Sequence, residues 1–143
     1  MQEIINIVTE YFKMNGGEII KDSTVEIFIE NIEHDSKLYN IHVTKRSLKH
    51  FIERRKEDFS KKHLESKSLE IIKLMINDLS DVIKNHDKKV KHKTRTNSIV
   101  LYKKTNNHAT PMCLVLETKN SKMYLVSLHF IKERDFEKIL DAK

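Results

Sequence analysis

Arg46, His50, Arg54 and Arg55 crowd into one short segment of this 143-residue chain, within the run Thr-Lys-Arg-Ser-Leu-Lys-His-Phe-Ile-Glu-Arg-Arg-Lys-Glu-Asp-Phe at 44–59. The spacing predicts a helix. At 3.6 residues per turn, Leu48, Phe51, Ile52 and Phe59 share one face. Arg55 falls inside that stripe, where a guanidinium is costly unless an anion or a carboxylate meets it. His50 and Arg54 lie together away from the stripe, with Arg46 one turn earlier. An imidazole beside several guanidiniums is the equipment of phosphodiester chemistry. Metal-free cleavage of RNA uses the substrate's own 2′-hydroxyl as nucleophile. The protein adds a base, an acid and cations at the developing phosphorane charge, and imidazole suits the proton transfers because it titrates near neutrality. On this reading His50 is a general base or acid and His129 its partner. Arg54 and Arg55 stabilise phosphate charge, and Ser127 positions an oxygen. Each residue also has a plainer reading. His50 is solvated, Arg54 pairs with Asp58 four residues on, Arg55 snorkels or meets a buried carboxylate, and Tyr102 is a core aromatic.

The elements that must position these groups follow from periodicity. Ile4, Ile5, Val8, Tyr11 and Phe12 define an amphipathic helix over 2–14, stopped at Asn15-Gly16-Gly17. Alternation predicts strands at 24–30 and 38–43, separated by a polar turn and able to form a hairpin. Thr44 is the expected N-cap of the 44–59 helix, and residues 60–67 break it. A second helix is expected over about 68–77, its apolar face continued by Leu79, Val82 and Ile83. The last third reads as an antiparallel meander, 98–103, 112–118 and 123–131, with a hairpin at 118–122. In its third strand Tyr124, Val126, Leu128 and Phe130 are assigned one face, Leu125, Ser127 and His129 the other. A closing helix over about 133–141 carries Phe136, Ile139 and Leu140. The expected fold is α+β: an N-terminal helix and hairpin, two central helices, an antiparallel sheet of three to four strands and a short C-terminal helix. One domain is expected over 1–143, with its core at 38–131.

Bulk properties narrow the partners. The formal net charge of +6 favours a polyanion, nucleic acid above all, although a Lys-rich surface alone would give the same sum. Cations are densest at 84–95, where Lys88, Lys89, Lys91, Lys93 and Arg95, with Arg46 and Tyr102 elsewhere, form the expected nucleic-acid-binding set. The eight histidines stand at 34, 42, 50, 63, 86, 92, 108 and 129, without the spacing of a zinc motif, so no metal and no cofactor is expected. Both glycines are adjacent, which excludes a Gly-rich phosphate loop. Cys113, alone in an apolar run, reads as a buried small hydrophobe of a reducing, cytoplasmic protein. No apolar stretch approaches the roughly 20 residues of a membrane span, so no membrane partner is expected.

The segment Ile41-His42-Val43-Thr44-Lys45-Arg46-Ser47-Leu48-Lys49-His50-Phe51-Ile52-Glu53-Arg54-Arg55 resembles the strand-into-helix opening of phage-associated domains grouped with barnase, EndoU, colicin ribonucleases and RelE. Asp78-Leu79-Ser80-Asp81-Val82-Ile83 is similar to the segment that precedes their strands, and Ser127 matches a small polar residue near the end of their last strand. Arg55 stands where a second histidine is often found in them. The resemblance covers about 38–131 and implies an antiparallel sheet against helices and metal-independent RNA cleavage. The leading expectation is therefore a ribonuclease-like toxin or effector, with RNA and a proteinaceous inhibitor as partners. Its rivals are a non-catalytic nucleic-acid-binding or regulatory protein, and an interaction protein that docks another chain.

Overall fold

A computed structural model describes residues 2–14, 26–61, 67–106, 108 and 110–142. The chain runs α1 (Gln2–Met14), β1 (Glu26–His34), β2 (Lys37–Thr44), α2 (Lys45–Lys61), α3 (Ser68–Asn77), α4 (Leu79–Lys84), β3 (Lys88–Lys91), β4 (Ser98–Lys103), β5 (Met112–Lys119), β6 (Lys122–Phe130) and α5 (Glu133–Asp141). The α+β class holds, but among the described residues the sheet has six strands, not three or four, in the order β1-β2-β6-β5-β4-β3. It is mixed. β2 runs parallel to β6 through Asn40↔Lys122, Ile41↔Met123 and His42↔Tyr124, and every other pair is antiparallel. That short parallel join brings the N-terminal hairpin into the sheet of the C-terminal meander. Periodicity cannot reveal it, because alternation marks strands and not their partners. The glycine stop expected at 15–17 and residues 62–66 of the expected helix break lie outside the described residues.

Local chemistry explains the joints. The β1–β2 hairpin turns on Asp35 and Ser36, both at positive φ (51° and 66°), as the twist of a two-residue hairpin loop requires. Asn120, at φ 60°, does the same between β5 and β6. β1 extends to His34, past the polar turn expected from residue 31, because Asn31–His34 all pair with β2. Thr44 caps α2: its Oγ1 accepts the Ser47 backbone N–H at 3.0 Å, while the Ser47 hydroxyl donates to the Thr44 carbonyl at 3.1 Å. A third helix, α4, separates from α3 at Asp78, giving three central helices where two were expected. The basic stretch supplies the edge strand β3, whose Lys89 Nζ reaches across to the Glu33 carbonyl at 2.8 Å.

One face of the sheet is inward. Ile27, Ile41, Val43, Leu101, Leu114, Leu116, Met123, Leu125 and Leu128 form a single core cluster with the apolar faces of α1–α4. Leu48, Phe51, Ile52 and Phe59 of α2 are buried there, as the stripe required. A smaller cluster, Val100, Cys113 and Val115, lies on the opposite, outer face. Two irregularities re-aim side chains. β1 shifts register between Phe28 and Glu30, and β6 shifts at Val126, since Val115 pairs with Ser127 and Leu116 with Leu125. The shift at Val126 overturns the simple alternation of β6. Leu125 points inward with Leu128, whereas Ser127 and His129, paired with Val115 and Cys113, share the outer face with Tyr124.

Candidate functional site

The outer face carries its chemistry where β1, β2 and β6 meet. Glu26 pairs with Thr44, Phe28 with His42, and His42 with Tyr124, so alternation puts all five side chains on one side. Glu26 Oε1 accepts the Lys122 ammonium at 2.8 Å, although the two residues are 96 positions apart in sequence. The Tyr124 hydroxyl donates to the same carboxylate. His42 Nδ1 lies 3.8 Å from Glu26 Oε1, is buried, and has no hydrogen-bond partner within the protein. The imidazole is flanked by two rings, Phe28 with centroids 5.9 Å apart and Tyr124 at 6.1 Å.

The environment sets the protonation states. Lys122 holds the Glu26 carboxyl below the usual carboxylate range, against the opposing effect of burial. Burial pushes His42 below the ordinary imidazole value. The Lys122 charge acts in the same direction, and the Glu26 carboxylate opposes both. Tyr124 is raised, by burial first and by its bond to Glu26 second. At neutral pH the group is therefore an anionic carboxylate bridged to an ammonium, beside a neutral imidazole able to accept a proton. A cleft of about 610 Å³ opens against it, walled by Glu26, Tyr124, Thr44, Arg46, Ser47 and Asn120 among others. An adjoining hollow of about 460 Å³ shares Thr44, Arg46 and Ser47 and adds His50, Lys49 and Glu53. Arg46 thus lines both hollows, the one walled by Glu26 and Tyr124 and the one walled by His50.

The residues singled out by their spacing on α2 and β6 divide into three groups. Arg46 and His50 line the hollows just described. Arg55 and His129 form a second neighbourhood beside α2. Arg55 bridges to Asp58 at 2.9 Å, and its Nε is buried without a partner. Burial lowers the titration of His129, the Arg55 charge lowers it further, and Asp58 opposes both. Arg54 is exposed, and Ser127 sits on the outer face between Tyr124 and His129 without joining either group. The expected nucleic-acid set is mostly engaged with the protein. Lys88 Nζ donates to the Ala142 carbonyl at 2.7 Å, Lys89 to that of Glu33, and Arg95 pairs with Glu117 at 3.1 Å. Tyr102 shares a hydrogen bond with Cys113, while Lys91 and Lys93 stay exposed. Among the described residues no three of His, Cys, Asp and Glu gather as a metal ion's ligands would. No helix among them is long and apolar enough to cross a membrane.

Glu26, His42, Lys122 and Tyr124 have no mutual spacing that a sequence could disclose. The one legible signal is local: a polar side chain at 42 alternating with Ile41 and Val43, both fully buried.

Over residues 17–138 the chain matches the family described as phage-Barnase-EndoU-ColicinE5/D-RelE like nuclease3, and it belongs to that nuclease-like family. The match begins ahead of β1, so the strand that supplies Glu26 and Phe28 is part of the family's domain and extends the 38–131 likeness toward the N-terminus. Compared with curated proteins and with solved structures, the chain matches none.

Proposed function

We propose that this chain is a metal-independent ribonuclease, acting as a toxin or effector, whose centre is the Glu26–His42–Lys122–Tyr124 group with Arg46 and His50 alongside. The observation that carries the reading is the buried, partnerless His42 Nδ1 facing at 3.8 Å the Glu26 carboxylate, which with Tyr124 lines an open cleft. His42 Nε2 accepts the proton of the substrate's 2′-hydroxyl. The 2′-oxygen bonds to phosphorus, the bond from phosphorus to the 5′-oxygen breaks, and a 2′,3′-cyclic phosphate remains. The imidazolium formed on His42 is stabilised by the Glu26 carboxylate. Protonated His50, across Arg46, gives the departing 5′-oxygen its proton. Both imidazoles then return to their starting states by exchange with water. Arg46 and Lys122 face the charge that builds on phosphorus, and the Thr44 and Ser47 hydroxyls offer donors to its oxygens.

The test is cleavage of single-stranded and structured RNAs in EDTA, with mapping of product ends. The wild type should leave 2′,3′-cyclic phosphates, His42→Ala should abolish them, and Arg46→Ala should slow their formation. Absence of cleavage across several RNAs, with binding retained, would instead identify a non-catalytic nucleic-acid-binding protein.

A further inference from the structure

Phe28 is out of place for a sheet residue with no task. It belongs to β1, one of the two edge strands of the sheet, and 47% of its surface is exposed. A large apolar ring on an exposed edge invites aggregation, and natural sheets usually place charge or a kink there instead. The regular pairing of Phe28 with His42 sets where this ring points, a register shift follows it in β1, and such irregularities gather beside active sites. The ring lies in a row. Phe28, His42 and Tyr124 come from three neighbouring strands, with successive centroids 5.9 and 6.1 Å apart. His42 is enclosed between the two rings, Tyr124 is half-buried on the wall of the cleft, and Phe28 is the exposed end of the row. Cations flank the row: Lys122 on the Glu26 carboxylate, and Arg46 on the wall of the adjoining cleft.

We infer that Phe28 is a base-stacking subsite, which holds an unpaired nucleobase next to the scissile phosphate and restricts the substrate to single-stranded RNA. The inference rests on reading the cleft as an RNA site. The chemistry follows from the ring's position. A flat apolar surface open to water stacks on any base, whatever its sequence, because every base has a π-face. Bases inside an A-form duplex are already stacked on each other and cannot reach a ring on a protein surface. The phosphate that follows the stacked base then lies toward Arg46 and Lys122. Phe28 thus supplies strand selectivity while His42 and its neighbours supply the chemistry.

The experiment separates binding from cleavage by using 2′-O-methyl oligonucleotides, which have no 2′-hydroxyl to attack. Anisotropy of a labelled single strand, the same strand carrying one abasic position, and a duplex of equal length would be compared for wild type, Phe28→Ala and Phe28→Trp. Phe28→Ala should weaken single-strand binding about tenfold or more, and Phe28→Trp should keep it. The abasic strand, placed in register, should bind wild type and Phe28→Ala alike, and duplex binding should be indifferent to residue 28. Equal single-strand affinities for wild type and Phe28→Ala would overturn the subsite, as would an equal loss on the duplex. If stacking depends on Phe28 but unmodified RNA is never cut, the catalytic reading fails and the subsite stands.

Discussion

Replacing His42 by phenylalanine should make the protein at least as stable and leave it inactive. The side chain is only 13% exposed and packs between the Phe28 and Tyr124 rings. Phenylalanine keeps both ring contacts, each contributing about 0.5–1.5 kcal/mol beyond area burial. It also removes a buried nitrogen that has no partner within the protein, a group that ordinarily costs about 1–3 kcal/mol. Because a little water reaches this ring, the low end applies, and His42→Phe should gain up to about 1 kcal/mol. His42→Ala removes the same nitrogen but also both contacts and the ring's buried area, so it should fall about 3–5 kcal/mol below His42→Phe. For a chain of this length each kcal/mol corresponds to about 2–4 °C in Tm, a separation that urea titration and calorimetry both resolve. Cleavage in EDTA should fall about 10²- to 10⁴-fold in both variants, the usual contribution of a general base. The reasoning is refuted if His42→Phe cleaves like wild type, or if it is no more stable than His42→Ala.

Acid should destabilise the fold. Burial holds His42 and His129 below the ordinary 6.5, so the unfolded chain binds more protons between their lowered values and 6.5; stability is full above that window and is lost as pH falls through it. Glu26 acts lower, its stabilisation present above 4.5 and lost as pH falls through its depressed value; a Tm unchanged between pH 7.5 and 5 would contradict the histidine effect, and one that does not fall further below pH 4.5 the Glu26 effect. Arg46→Ala should reduce the slope of log affinity against log salt by about 1 for a 2′-O-methyl strand, since Arg46 is assigned one phosphate. Thr44→Ala should cost about 0.5–2 kcal/mol in urea unfolding, because the Ser47 N–H loses its acceptor at the start of α2. Leu48→Ala, at a site with no exposure, should cost about 2–5 kcal/mol and lower activity only in proportion to the folded fraction.

The elements that do most to build the core were legible because each announces itself within one turn or one strand. The α2 stripe of Leu48, Phe51, Ile52 and Phe59 is buried as its 3.6-residue spacing demands. The Thr44 cap, the β5–β6 hairpin and the C-terminal helix are likewise written in adjacent residues. What escaped the pattern is what depends on distant residues or on a single insertion. The β2–β6 pairing has no local signature. One extra residue at Val126 exchanges the faces of everything before it, so Ser127 and His129 join Tyr124 and part from Leu125.

The same distinction explains why the conspicuous cations on α2 are not where the most tightly coupled chemistry lies. A helix displays charge at short spacing whether or not anything answers it: Arg55 is met by Asp58, three residues along its own helix. A sheet does the reverse. It joins residues with no sequence relation, and Glu26, His42, Lys122 and Tyr124 come together only because β1, β2 and β6 are neighbours. A carboxylate bonded to an ammonium, with a largely buried imidazole 3.8 Å away, is held by three strands and cannot drift apart as surface side chains on one helix can. Such a group costs stability, as the partnerless His42 nitrogen records, and a fold retains that cost where a reaction or a ligand uses it. The centre proposed for cleavage therefore rests on the sheet, with Arg46 lining both the cleft and the adjoining hollow and His50 lining that hollow.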